Sequence, residues 1–134
     1  MKKLYMILAI FLLIFVFAGC GKQEPRINIE NADEISIFYG VSSYAPSYTD
    51  EKTLKALSNC LHDLRFETTD KQMDRLTMFS LYFTKDGKKI ASIKTDENGV
   101  FWLNGKTDSL KIASGKFNYN DIKDIYEKSR NSNK

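Results

Sequence analysis

The chain opens on an unbroken apolar run and then alternates short patterned segments with polar turns. Leu4 to Phe17 holds no charged residue across fourteen positions. Farther on, Glu34-Ile35-Ser36-Ile37-Phe38-Tyr39 is β-branched and aromatic, with Ile35 and Ile37 on one face, and predicts a strand ended by Gly40. Leu54, Leu57, Leu61 and Leu64 recur at spacings of 3, 4 and 3, which makes Asp50 to Arg65 a helix with one apolar stripe. Thr49 or Asp50 can cap its start, and Asp50 and Glu51 suit the positive end of the helix dipole. Leu76 to Thr84 alternates, setting Thr77, Phe79, Leu81 and Phe83 against Leu76, Met78, Ser80 and Tyr82. The Asp-Gly pair in Lys85-Asp86-Gly87-Lys88 predicts a hairpin, with Lys89 to Thr95 returning and carrying Ile90, Ala91 and Ile93. Asp96-Glu97-Asn98-Gly99 turns again, Val100 to Leu103 is a strand, and Asn104-Gly105 starts a further turn. Ser109 to Ala113, with Leu110 and Ile112 on one face, is the last strand. Asn118 to Arg130 is a second helix whose Tyr119, Ile122, Ile125 and Tyr126 share a face, capped by Asn118 or Asn120. Residues 40–49 read as loop, and the polar stretch from Phe66 to Arg75 shows no usable period.

The order is strand, helix, four strands joined by tight turns, helix. Tight turns force antiparallel neighbours. The expected fold is therefore α+β, an antiparallel sheet of about five strands with two amphipathic helices packed on one face. The outer sheet face is then polar or open to a partner. Of Phe101 and Trp102, one ring is expected in the core and the other on that outer face.

The amino terminus carries a separate message. Met1-Lys2-Lys3 is positive, the apolar run follows, and Ala18-Gly19-Cys20 precede polar Gly21-Lys22-Gln23-Glu24-Pro25. That succession describes a secretory signal. The fourteen apolar residues would span about 21 Å as a helix, short of the roughly 30 Å hydrocarbon core, which disfavours an uncleaved anchor. Phe17-Ala18-Gly19-Cys20 resembles the lipobox of bacterial lipoproteins, with Phe17 where the family prefers Leu. The resemblance implies recognition of Phe17, Ala18 and Gly19 by a signal peptidase, cleavage before Cys20 and a diacylglyceryl group on the Cys20 thiol. Two acyl chains suffice for stable anchoring, since each buried CH₂ contributes about 0.8 kcal/mol. The competing readings are the uncleaved anchor and a secreted protein with a free thiol at its start.

Cleavage would remove residues 1–19 from the 134-residue chain, and with them Lys2 and Lys3, leaving 18 basic against 17 acidic residues. That balance gives no electrostatic case for nucleic acid. The expected organisation is a signal peptide over 1–19, a lipidated cysteine and tether over 20–32, one domain over 33–130 and a frayed tail over 131–134. Ile27 and Ile29 alternate, so the second half of the tether can instead add an edge strand. With Cys20 lipidated, Cys60 has no partner for an intramolecular disulfide, and the domain must hold by packing. The chain as a whole resembles the small uncharacterised lipoproteins of Gram-positive bacteria, through the lipobox, a strand–helix pair, the Lys85–Lys88 hairpin and the terminal amphipathic helix. That resemblance implies surface anchoring and no established activity.

No arrangement of residues predicts catalysis or a cofactor. Cys60 and His62 lie two apart on a helix, about 200° around its axis, and do not face each other. Cys60 sits beside the leucine stripe as a small core residue, and His62 belongs at a helix flank or end. One histidine and one free cysteine cannot build a zinc site. Asp96-Glu97-Asn98-Gly99 lacks the further ligands of a calcium loop and reads as a turn. Tyr39, Tyr44 and Tyr48, with Pro46 and serines between them, form the candidate interaction surface, because loop tyrosines offer large amphipathic area at modest entropy cost. The other reading is that these rings cover a sheet edge or helix start. The functional expectation is a membrane-anchored, non-enzymatic binding module for a protein or cell-wall partner. Its alternative is a docking, inhibitor or immunity-type subunit of an envelope complex.

Overall fold

The alternating and stripe patterns assemble into one layer of strands and one of helices. The structure is a computed structural model and describes residues 25–134. Phe17, Ala18, Gly19 and Cys20 lie outside the described residues. In chain order the elements are β1 (Glu34–Tyr39), β2 (Ser47–Tyr48), α1 (Glu51–Leu61), β3 (Arg65–Thr68), β4 (Phe79–Lys85), β5 (Lys88–Thr95), β6 (Phe101–Leu103), β7 (Leu110–Ser114) and α2 (Tyr119–Ser132). The architecture is α+β, a single antiparallel sheet with two helices. Its seven strands run in the order β2-β1-β4-β5-β6-β7-β3.

The count of about five strands is corrected by two short edge strands. β2 lies in the stretch expected as loop and pairs with β1 through Ile35↔Tyr48 and Ser36↔Ser47. β3 lies in the stretch with no usable period and crosses to the far edge to pair with β7. Two residues carry no period at all, and in Arg65-Phe66-Glu67-Thr68 only Phe66 is buried. Both strands exist because a partner edge is waiting for them, which local sequence does not announce.

The turns behave as their residues dictate. Asp86 and Gly87 have φ of 50° and 74°, the left-handed pair that a two-residue hairpin between Lys85 and Lys88 requires. Asp50 caps α1, its Oδ2 accepting the Thr53 N–H at 2.9 Å. α1 stops at Leu61, short of the expected Arg65, where His62 turns extended and Asp63 takes φ 55°. Leu64 is buried all the same, packed under Gly115 of the loop after β7. Ile90 was grouped with Ala91 and Ile93, but Phe83 pairs with Ala91 and Thr84 with Lys89, so Ile90 is a bulge residue and points outward.

The core sits between the sheet and both helices. Ile35, Ile37, Phe79, Leu81, Phe83, Ile93 and Phe101 from the strands join Leu57 and Leu61 of α1 and Ile122 and Tyr126 of α2 in one cluster. Each such side chain contributes about 1.5–3 kcal/mol on burial. Ile27, Ile29 and Ala32 pack against this cluster without forming a strand, so the chain before β1 is laid onto the domain from residue 27. At the other end α2 continues through Ser132, and Asn133 Nδ2 donates to the Tyr44 hydroxyl at 2.9 Å, so order extends into the expected tail.

Candidate interaction surface

The three loop tyrosines are brought together, but with their rings turned inward. Tyr39 lies 4.5 Å from Phe79 and 5.6 Å from Tyr126, ring centre to ring centre. Tyr44 meets the Tyr126 ring edge-on at 5.4 Å, and its hydroxyl shares a 2.7 Å hydrogen bond with Ser129 Oγ. Tyr48 is buried and donates to the Ile125 carbonyl at 3.4 Å. Tyr126, fully buried, donates to the Tyr44 carbonyl at 2.9 Å and lies as close to Ser42 Oγ. The tyrosines thus stitch the loop between β1 and α1 to α2. Tyr44, Tyr48 and Tyr126 each pack a ring and satisfy the hydroxyl, which is what a tyrosine needs on leaving water. Burial raises the ionisation of Tyr48 above its ordinary value and holds that of Tyr119, whose hydroxyl donates to the Thr77 carbonyl, well above the usual tyrosine range.

The exposed aromatic surface is on the other side of the sheet. Strand alternation that sends Ile35 and Ile37 inward sends Ser36 and Phe38 outward, and the same rule turns out Ser80, Tyr82 and Thr84 of β4. Cross-strand register builds two rows, one running Ser36–Tyr82–Ser92 and the other Phe38–Ser80–Lys94–Trp102. Ser36, Phe38, Ser80, Tyr82, Thr84 and Lys89 line a shallow depression of about 500 Å³. Phe38 is 45% exposed and meets Tyr82 edge-on at 5.6 Å and 87°. Ser80 and Ser92, beside the rings in the two rows, are buried beneath their neighbours. Phe101 packs into the core, while Trp102 is half-buried on this outer face and donates its Nε1–H to Ser109 Oγ at 3.2 Å.

Positive charge stands over two of the rings. Lys89 Nζ stands 5.5 Å from the centre of Tyr82, and the Arg75 guanidinium 6.0 Å from Trp102. Lys94 lies between Ser80 and Trp102 in the second row. None of these three cations makes an ion pair among the described residues; the ion pairs there join His62–Asp63, Lys85–Asp33, Lys111–Glu67 and Arg130–Glu127. On β1, β4, β5 and β6 the one carboxylate turned to this face by alternation is Glu34, opposite Thr84 at the end away from Phe38. The sequence signal for this surface was the half of each alternating strand not assigned to the core.

The groups weighed for chemistry are otherwise engaged. Asp96 is fully buried, and its carboxylate accepts the backbone N–H groups of Asp74 (2.7 Å), Asn98 (3.0 Å) and Val100 (2.9 Å). Its oxygens organise a turn and are not open to a cation. Cys60 is half-buried against the core, where burial and the nearby Asp121 charge push its thiol up. His62 is exposed at the end of α1, 3.0 Å from Asp63. Among the described residues no group of three His, Cys, Asp or Glu side chains is placed to hold a metal ion. Comparison of the chain with family models, with curated proteins and with solved structures returned no match.

Proposed function

We propose that this protein is a lipid-anchored, extracytoplasmic binding module, tethered through Cys20, that takes its partner on the outer sheet face and performs no chemistry on it. The anchor rests on the succession from Met1 to Cys20, where positive charge, apolar length, small residues and a thiol agree. The binding role rests on one observation: Phe38, Tyr82 and Trp102 stand on a sheet face that neither helix covers, beside three cations that make no ion pair among the described residues. A face that served stability alone would gain little from rings left half in water, because only the area removed from water contributes.

Two measurements test the two halves. The intact mass of protein recovered from cell membranes is expected to lack residues 1–19 and to carry a diacylglyceryl group, and Cys20→Ser is expected to move the protein out of the membrane fraction. A retained leader or a bare thiol defeats the anchor. A photo-crosslinking residue at position 38, in the native envelope, is expected to trap a discrete partner that the same label at exposed Asn120 of α2 does not. Equal labelling from both positions, or none, defeats the binding face. Capture of a single envelope protein would assign the docking role.

A further inference from the structure

We infer that the partner of the outer sheet face is an acidic polysaccharide, a chain of sugar rings bearing anionic groups; this rests on the binding role proposed above. Three observations narrow the class. The depression is shallow and lies on a broad face, whereas sites for single small molecules are concave and enclose most of the ligand. From Phe38 on β1 to Trp102 on β6 the face spans three strand spacings, about 14 Å. That is room for an extended chain. β4 is paired on both sides along nearly its whole length, while β1 meets β2 only at Ile35 and Ser36 and β6 meets β7 only at Phe101, so an added peptide strand would find only short stretches of free edge, and recognition across the face falls to side chains.

Those side chains are of three kinds. Phe38, Tyr82 and Trp102 present flat ring faces, whose electron-rich surface accepts the C–H face of a sugar ring. Thr84 and Ser36, the latter already sharing a 2.7 Å hydrogen bond with Ser47 Oγ, supply hydroxyls that both donate and accept, as a polyol demands. Lys89 and Arg75 stand over one face of Tyr82 and of Trp102, and Lys94 lies beside Trp102 in the cross-strand row; none of the three has a carboxylate partner among the described residues, so an acid group on a sugar stacked alongside would meet positive charge. An acidic peptide answers the charge but offers few flat C–H faces. A neutral glycan answers the rings and hydroxyls and leaves three cations unmatched. An acidic glycan answers all of them.

Trp102 is the only tryptophan of the chain, so its fluorescence reports directly from this face. The full chain in detergent is titrated with polygalacturonate, with neutral dextran and with polyglutamate. A saturable change with polygalacturonate, at least tenfold tighter than with either control, is the expected result. It should weaken as salt is raised and fall at least tenfold in Phe38→Ala and in the Lys89→Ala/Lys94→Ala double variant. All of these positions are on the surface, and a retained cooperative melting transition confirms that the variants fold. Equal binding of dextran overturns the role of charge, and equal binding of polyglutamate reassigns the face to acidic peptides. If no polymer binds while position 38 still crosslinks a partner in the envelope, the ligand class is wrong and the binding role stands. If both fail, the binding role falls with it.

Discussion

The two faces of β1 and β4 are made by alternate residues of the same strands and do opposite things. Ile35, Ile37, Phe79, Leu81 and Phe83 are wholly withdrawn from water, while Phe38, between Ile37 and Tyr39, keeps 45% of its surface. The inner rings are clamped: Phe79 touches Tyr39, Tyr119 and Tyr126 at 4.5–5.6 Å. The outer rings touch one another and a few cations. An apolar side chain therefore carries no fixed meaning in this sheet, since its worth to the fold depends on whether a helix lies over it.

The widest gap between the faces should appear on truncating a ring. Phe79→Ala is expected to destabilise by about 3–5 kcal/mol through lost burial and the cavity left behind, whereas Phe38→Ala opens no enclosed cavity and gives up an edge-on contact worth about 0.5–1.5 kcal/mol together with the burial of part of one ring. Denaturant titration of both variants reads this, and equal losses would dissolve the distinction. Next in size is Asp96→Ala, which strands three backbone N–H groups in a buried turn. A loss of about 2–3 kcal/mol is expected, with faster amide exchange at Asp74, Asn98 and Val100. A smaller contrast separates two tyrosines. Tyr126→Phe removes a hydroxyl bonded to the Tyr44 carbonyl and should lose about 1 kcal/mol, but Tyr82→Phe on the outer face should change stability by less than about 0.5 kcal/mol.

The last effect is confined to alkaline pH. An unfolded tyrosine ionises near pH 10, whereas burial keeps Tyr119, and to a lesser degree Tyr48, protonated beyond that point. The unfolded chain gives up these protons first. Stability is thus full below about pH 10 and declines as pH rises further. Melting temperatures between pH 8 and 11 should show the decline, and Tyr119→Phe should soften it. No decline in the parent protein would mean that the ring is wetter than its packing implies.

What could be read in advance followed the length of each pattern. β1, β4, both helices and the Asp86-Gly87 and Asn104-Gly105 turns were legible because alternation, the leucine spacing or a left-handed turn pair runs through each of them. β2 and β3 were not, because two to four residues with one or two apolar positions look like loop until a partner strand is known. The surface was half legible. The outward set on β1 and β4 and the split of Phe101 from Trp102 follow from alternation. That Tyr39, Tyr44 and Tyr48 turn inward depends on Tyr126 arriving from a helix near the other end of the chain. No local spacing encodes that meeting.

The placement of β1 and β3 constrains how the molecule can come together. Each waits for a neighbour made much later: β1 needs β4, which begins at Phe79, and β3 needs β7, which begins at Leu110. The stretch β4 to β7 zips through consecutive tight turns and closes only short loops, whereas the two earlier strands must close long ones. A chain cut short before Leu110 would leave Phe66 with no strand to lie beside. Loop closure thus favours an order in which the late-synthesised ribbon forms first and the first-made segments join its two margins afterwards.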